Sequence, residues 1–261
     1  MTSTLPVWWD GPADGPTNMA ADELLAAEAA RRECPVVRIY SWTRPTVSLG
    51  AFQPFAEATA CAAIAGLPIV RRPSGGGAIL HGTDLTYAVA VPRTHPWGGG
   101  PQALYDGMHA AMAATLAQFG IAARLHVPSL ADPPADAFLC FQRRSPGDLI
   151  ASPAGQAPRA DDPKVMGSAQ RRLGTAVVQH GSLLLTPNRE VGPEARQGGL
   201  AAVDPGRSWT PRDIAEPWLN RVAAALVVSL APQRGSFPET CPEALAERAG
   251  RFGSDDWTRR R

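Results

Sequence analysis

The chain has 261 residues, 44% of them hydrophobic and 19% charged, with a formal net charge of +1. A chain of this length buries a full core without disulfide or metal staples. Its near-neutral charge argues against a dedicated nucleic-acid binder, which carries a basic excess. The longest apolar run, Val222 to Leu230, is too short to span a membrane. Cys34, Cys61, Cys140 and Cys241 form no C-x-x-C pair, so a reducing compartment is expected, with no metal site and no disulfide framework. Met1 to Trp9 has neither a basic n-region nor an apolar h-region, and the expected location is cytoplasmic. One domain over residues 1–261 is expected, with 206–261 as a short helical C-terminal segment.

In chain order, Asn18 to Arg32 reads as a helix rich in Ala, Leu and Glu, capped by Thr17 or Asn18. Val36 to Ser41 and Val47 to Leu49 read as short strands around the Arg44-Pro45 turn. Pro54 opens a second helix through Ile64, and Ile69 to Arg71 is a short strand. Leu85 to Val91 is a strand, Ala103 to Phe119 a helix, and Ile121 to Val127 a strand. Ser129 to Ala137 reads as a loop. After the apolar run Leu139 to Phe141, Asp148 to Ala151 reads as a strand and Ser152 to Pro163 as a mobile excursion. Lys164 to Gln170 and Ala176 to Leu185 are paired strands. Pro211 to Leu230 and Pro242 to Ala249 read as helices, and 255–261 as a frayed tail. Short connections between strands predict an antiparallel or mixed sheet with helices packed on it, an α/β (α+β) class.

Three segments carry chemistry. The first is Arg72-Pro73-Ser74-Gly75-Gly76-Gly77, leading to His81. Consecutive glycines cost backbone entropy, and the usual return is a backbone that a ligand can approach. It is not a P-loop, since no G-K-[ST] follows. The second is Lys164 followed by Gly167-Ser168-Ala169-Gln170. Lys164 is the only lysine in the chain, so it is a candidate for work that needs a compact ammonium. The third is His180-Gly181-Ser182 entering an apolar strand. Taken singly, each also fits an ordinary loop, a surface lysine or a core histidine.

Together, and in this order, the three segments resemble the lipoate–protein ligase and octanoyltransferase family. Asn18-Met19-Ala20 with Asp22-Glu23, and Asp84-Leu85-Thr86-Tyr87, add to the resemblance, which covers roughly Trp8 to Leu185. It implies a class II synthetase or biotin–lipoate ligase-like mixed sheet flanked by helices, with a tunnel for a medium-length acyl chain beside the glycine loop. At ~0.8 kcal/mol per buried CH₂, an octanoyl tail would contribute about 5 kcal/mol. The implied substrate-binding residues are Arg72, Ser74, Gly75, Gly76, Gly77, His81, Tyr87, Gly167, Ser168, Ala169, Gln170, His180, Gly181 and Ser182.

The family divides between ATP-dependent ligases, which form an acyl-adenylate, and transferases that pass the acyl group through a cysteine. Cys140-Phe141, followed by Gly147-Asp148-Leu149 and then Lys164, resembles the cysteine branch. That resemblance implies Cys140 as nucleophile and Lys164 as its activator and oxyanion partner, because an adjacent ammonium favours a thiolate. The implied donor is acyl carrier protein. The implied acceptor is a lipoyl-domain protein, the glycine-cleavage H protein or a 2-oxoacid dehydrogenase subunit. No cofactor is expected; ATP and Mg belong only to the ligase alternative. A non-catalytic lipoyl-domain binding module is a third reading. Neither a nucleic-acid nor a membrane partner is expected. Arg71, Arg72, Arg143, Arg144, Arg171 and Arg172 are a candidate receiving surface for acidic partners.

Overall fold

The computed structural model describes residues 4–129, 132, 137–153, 155–159 and 161–261. Met1 to Ser3, most of the expected loop at 129–137, and Ala154 and Ala160 of the 152–163 excursion lie outside the described residues.

The strands are β1 (Thr4–Ala13), β2 (Val36–Trp42), β3 (Thr46–Leu49), β4 (Ile69–Arg71), β5 (Ile79–His81), β6 (Asp84–Pro92), β7 (Ala122–Leu125), β8 (Leu149–Ser152), β9 (Lys164–Leu173), β10 (Ala176–Leu184) and β11 (Ser229–Pro232). The helices are α1 (Gly15–Arg32), α2 (Phe55–Ala60), α3 (Pro101–Gln118), α4 (Gly199–Val203), α5 (Pro211–Ala225), α6 (Pro242–Gly253) and α7 (Asp255–Thr258). Eight strands form one mixed sheet in the order β11-β1-β2-β6-β10-β9-β8-β7, and β4-β3-β5 form a small second sheet. β11, β1 and β2 run parallel and the rest of the large sheet is antiparallel.

Alternation along the strands divides the core. Leu85, Tyr87, Val89 and Val91 of β6 face α3 and α5, whereas Ala88 and Ala90 face α1 and α6. The small alanines let α1 lie close to the sheet. A third cluster, with Val47, Leu49 and Leu80, supports the small sheet. No helix among the described residues is long and apolar enough to cross a membrane.

Several elements differ from the sequence reading. The first helix starts three residues early, with Asp14 as its cap accepting from Thr17 N at 2.9 Å. Asn18 is instead buried and donates to Ala13 O and Ser41 O, tying α1 to the ends of β1 and β2. β1 was not anticipated, because Asp10-Gly11-Pro12 interrupts its alternation; the register does shift between Trp9 and Pro12. The helix expected through Leu230 stops at Ala225, and Val227 adopts a left-handed φ of 57° before the chain joins the sheet as β11. The C-terminal segment is therefore not purely helical. Nor is the tail frayed: Trp257 Nε1 donates to Arg71 O, Arg71 Nε to Thr258 O, and Phe55 N to Arg261 O.

Candidate active site

Cys140 opens a short 3-10 turn, Cys140–Gln142, which follows a bridge between Leu139 and Ala78 just beyond the glycine loop. Cys140 N donates to Ala78 O at 2.7 Å. The half-buried thiol thereby sits at the end of that loop. Across from it, β9 begins with Lys164. Its ammonium lies 3.4 Å from Cys140 Sγ, 3.2 Å from Cys140 O and 2.7 Å from Asp148 Oδ2. All three ammonium hydrogens thus have acceptors. Burial acts to lower the Lys164 pKa, but the neighbouring Cys140 and Asp148 outweigh it, and the net shift is upward. The group is held as a cation beside sulfur.

Asp148 is fixed in turn. Tyr105 OH donates to its Oδ1 at 2.9 Å and Ser145 N to its Oδ2 at 2.6 Å. Gly167 makes room for the lysine: a Cβ there would stand 2.7 Å from Lys164 Cε and 3.0 Å from Nζ. The 152–163 excursion does not displace Lys164. Asp162 anchors it, accepting from Ser152 Oγ, Arg124 Nη1 and Arg159 N, while Arg144 Nη2 donates to Asp162 O.

The glycine loop has its own support. Arg72 is buried and donates from Nη2 to Gly75 O and Gly77 O, and from Nη1 to Ser48 O, each at 2.7 Å. Burial pulls its pKa down to about 10. Gly76 has φ +89°, and its carbonyl oxygen is 2.0 Å from where a Cβ on Gly50 would stand, so the two backbones can approach only as glycines.

Two serine–histidine–aspartate chains meet beside this loop. Ser74 Oγ contacts His180 Nε2, and His180 Nδ1 lies 2.9 Å from Asp22 Oδ2. Ser48 Oγ is 2.9 Å from His81 Nε2, and His81 Nδ1 is 2.9 Å from Asp84 Oδ2. In each, the carboxylate fixes Nδ1–H, so Nε2 accepts from the serine. Asp22 is held by Arg38, which reaches Asp22 Oδ1 and Asp10 Oδ2 at 2.7 Å each, and by Tyr40 OH at 2.9 Å. Asp84 also accepts from Thr86 Oγ1, Ser182 Oγ and Gly82 N. Its burial would raise the pKa, but His81 and these donors bring it below the ordinary value. Trp42 stacks on the His81 ring at 4.1 Å.

Met19, Tyr40, Ser48, Arg72, Ile79, His81, Thr86, His180 and Gly181 line one pocket. It is tight: about 10 Å³ is open to the centre of a water-sized sphere, space for one water. An eight-carbon chain enters only if lining side chains move. Met19, unbranched and adaptable, is the one best suited to do so. The pocket and the Cys140–Lys164 pair lie side by side, since Ser182 pairs in register with Gly167.

The matching family model is the lipoyl protein ligase A/B catalytic domain, over residues 14–197. The chain belongs to that family. It is 36% identical over 182 residues to an octanoyltransferase LipM of Symbiobacterium thermophilum, covering 67% of this chain and 63% of that protein. It therefore spans less than two thirds of that relative's length. It is 31% identical to an octanoyltransferase LipM of Kyrpidia tusciae over 91% of this chain and 82% of that protein. Among solved structures, lipoate-protein ligase A bound with ATP superposes with a TM-score of 0.70 at 16% identity, covering 99% of each chain. The bipartite lipoate protein ligase of Thermoplasma acidophilum superposes with a TM-score of 0.66 at 16% identity, covering 99% and 96%. At such identities these two structures establish the fold, a lipoate-ligase type of mixed sheet flanked by helices.

Of the residues singled out in the sequence, this family fold brings Arg72, His81, His180 and Gly181 to the pocket, sets Ser74 against His180 beside it, and brings Cys140, Lys164 and Gly167 to the thiol. Ala169 shares the face of His180, its partner in the strand pair. Ser182 is buried behind Asp84. Tyr87, Ser168 and Gln170 are not at the pocket. Gln170 donates to Gln179, Gln179 to Tyr87 OH, and Tyr87 OH meets Ser168 Oγ at 2.8 Å on the α3 side. Period-two alternation reverses their direction relative to His180 and Ser182. Arg71 and Arg72, at 0% and 2% exposure, cannot belong to a receiving surface.

Sequence reasoning missed Ser48, Tyr105 and His109, and gave Asp22, Asp84 and Asp148 no role although each lay in a segment that carried the resemblance. Ser48 could have been noticed as a polar residue inside an apolar strand, and His109 as a lone polar ring among small apolar residues of a helix. Asp148 lay in the Gly147-Asp148-Leu149 segment, but nothing local marked it as the partner of Lys164.

Proposed function

We propose that this chain is an octanoyltransferase that works through a thioester on Cys140. The observation that carries the reading is the 3.4 Å approach of Lys164 Nζ to Cys140 Sγ, with the same ammonium held by Asp148. The names of the relatives at 31% and 36% identity agree with it. In the first half-reaction, the Cys140 thiolate attacks the carbonyl of an incoming octanoyl thioester. The S–C bond forms as the donor's S–C bond breaks, and the donor leaves as a thiolate that takes up a proton. The Lys164 ammonium offsets the negative charge that passes from Cys140 to the carbonyl oxygen. In the second, a neutral lysine amine of the acceptor attacks the acyl-Cys140 carbonyl. The N–C bond forms, Cys140 departs as thiolate, and the amine's surplus proton is lost to solvent.

The thioester already carries the activation, so no ATP is consumed. The proposed donor is acyl carrier protein and the proposed acceptor a lipoyl domain, of a glycine-cleavage H protein or a 2-oxoacid dehydrogenase subunit. The bipartite lipoate protein ligase of Thermoplasma acidophilum, described together with its E2 lipoyl domain, agrees with such an acceptor. The proposed setting is the cytoplasm. Mixing the protein with octanoyl acyl carrier protein and no ATP, then weighing the intact protein, tests this. A hydroxylamine-labile octanoyl adduct, absent in Cys140→Ser and discharged by a lipoyl domain, is expected. Acylation of the domain only with ATP and free octanoate or lipoate would overturn it in favour of a ligase.

A further inference from the structure

Beyond the glycine loop, guanidinium groups from the end of α6 and from residues 259–261 crowd around Trp257 of α7. Arg251 and Arg260 both lie over the Trp257 ring, at 4.8 and 3.7 Å, and Arg261 lies 5.4 Å from the ring of Phe52. Phe52 is 63% exposed, and a Cβ on Gly75 would touch its ring at 3.7 Å. This basic patch is therefore stapled to the glycine loop. Arg71 forms the staple: it donates to Gly50 O, Gln53 O and Thr258 O, while Trp257 donates to its carbonyl.

Arg251 is paired with Glu23, and Arg259 with Asp255. Among the described residues, Arg171, Arg260 and Arg261 have no ion-pair partner, and all three are exposed. They also crowd one another. The Arg260 pKa is pulled down first by partial burial and then by repulsion from Arg261, Arg171 and Arg251. Asp255 and Asp256 share a shallow pocket with Arg260, but like charges held together with no carboxylate in ion-pair contact among the described residues attract a compact anion.

The position of Arg171 links this patch to the thiol. Gly167, Ala169 and Arg171 project from one face of β9, with Lys164 packed against Gly167. Four residues of strand place Arg171 about 13 Å beyond Gly167. The two residues before it on that face are small, which leaves that face of β9 low between the thiol and the arginines.

We propose that Phe52, Arg171, Arg260 and Arg261 form the docking surface for the acyl donor, an acidic carrier whose thioester hangs on a long arm joined through a phosphodiester. This rests on the transferase reading above. An arm of roughly thirteen bonds from sulfur to phosphorus spans on the order of 15 Å. It can therefore place its thioester at Cys140 while its phosphodiester meets the three guanidiniums. An acceptor lysine has no such arm and no phosphate, and its domain must come to the Cys140 mouth itself.

The test separates the half-reactions. Loading of Cys140 is followed by intact mass as octanoyl acyl carrier protein is titrated, in wild type and in an Arg260→Glu/Arg261→Glu double variant whose melting temperature is checked first. The half-saturating carrier concentration should rise about tenfold or more, and wild-type loading should weaken with salt. Loading from octanoyl-pantetheine, which has the arm without the phosphate, should not change, nor should discharge to a lipoyl domain. Unchanged carrier loading overturns the docking surface, and so does a defect confined to discharge, which would assign the patch to the acceptor. Wild-type protein that takes no acyl group from any thioester defeats the transferase reading instead. In that case direct titration of apo carrier against both proteins still decides whether the patch binds it.

Discussion

The two sides of the site are built on opposite electrostatic plans. On the pocket side, Ser74–His180–Asp22 and Ser48–His81–Asp84 close on themselves, with each imidazole nitrogen committed and each carboxylate met by several donors. On the thiol side, one ammonium and one carboxylate are buried together, and among the described residues that ammonium is the sulfur's hydrogen-bond partner. A satisfied polar wall is rigid and shapes what lies against it. A thiolate beside an ammonium keeps a lone pair to spare for a carbonyl. The serine–histidine–aspartate order invites a hydrolase reading, but both serines are buried at about 1% exposure. They read better as the wall of an acyl pocket than as nucleophiles.

That contrast predicts that the thiol side governs rate and the pocket side governs stability. Cys140→Ser should cost about a thousandfold or more in transfer rate with the melting temperature nearly unchanged, checked by acyl transfer and calorimetry on the same sample. Asp84→Asn should do the reverse. Asn offers one acceptor oxygen where the carboxylate offers two to His81 Nδ1, Thr86 Oγ1, Ser182 Oγ and Gly82 N, so at least one buried donor loses its acceptor, which should cost about 1–3 kcal/mol, read from the denaturant midpoint. The Asp84 pKa lies below its unfolded value, so this contribution is present above the unfolded pKa and fades as pH falls through the folded one. If Asp84→Asn leaves stability intact and abolishes transfer, the division of labour is wrong. Gly167→Ala sharpens it further. The added methyl would stand 2.7 Å from Lys164 Cε, 3.0 Å from Nζ and 3.4 Å from Asp148 Oδ1, so it presses mainly on the end of one flexible side chain; stability should change little, while displacing the ammonium should slow transfer about tenfold to a hundredfold.

How far the sequence reached follows the same line. Residues that act through backbone shape or stand alone in type were legible: three glycines in a row, and a lysine with no other in the chain. The strands and helices with clean alternation or strong helix formers were found within a few residues. Contacts made across the fold were not. Nothing near Asp148 announces that it meets Lys164, and nothing near Asp22 announces that it meets His180, 158 positions away. Tyr87 and Ser168 were placed at the site as members of the segments that carry the resemblance, yet on a strand successive residues point to opposite faces. β1 and β11 escaped because Asp10-Gly11-Pro12 breaks one and the other is only four residues long.

Behind the thiol side lies a group that neither side needs charged. His109 is fully buried on α3; its Nδ1 donates to Gly147 O at 2.8 Å, and its Nε2 accepts from Ser168 Oγ at 2.7 Å. Tyr87, Gln179 and Gln170 continue the chain, so hydrogen bonds run in one direction from Gln170 to the residue before Asp148. Burial is the main reason its pKa falls from 6.5 to about 3, and nearby Lys164 adds to it. The unfolded chain can therefore take a proton at this ring below about 6.5, while the folded chain takes none until about 3. Stability should fall as pH drops through that window, by about 1.4 kcal/mol per unit for this one group. His109→Asn keeps a donor for Gly147 O and cannot titrate, so its loss of stability with acid should be shallower by that slope. Melting temperatures of both proteins at half-unit steps from pH 7 to pH 4 measure the difference. Parallel curves would mean that His109 is not held neutral, and that the link from α3 to Asp148 is only packing.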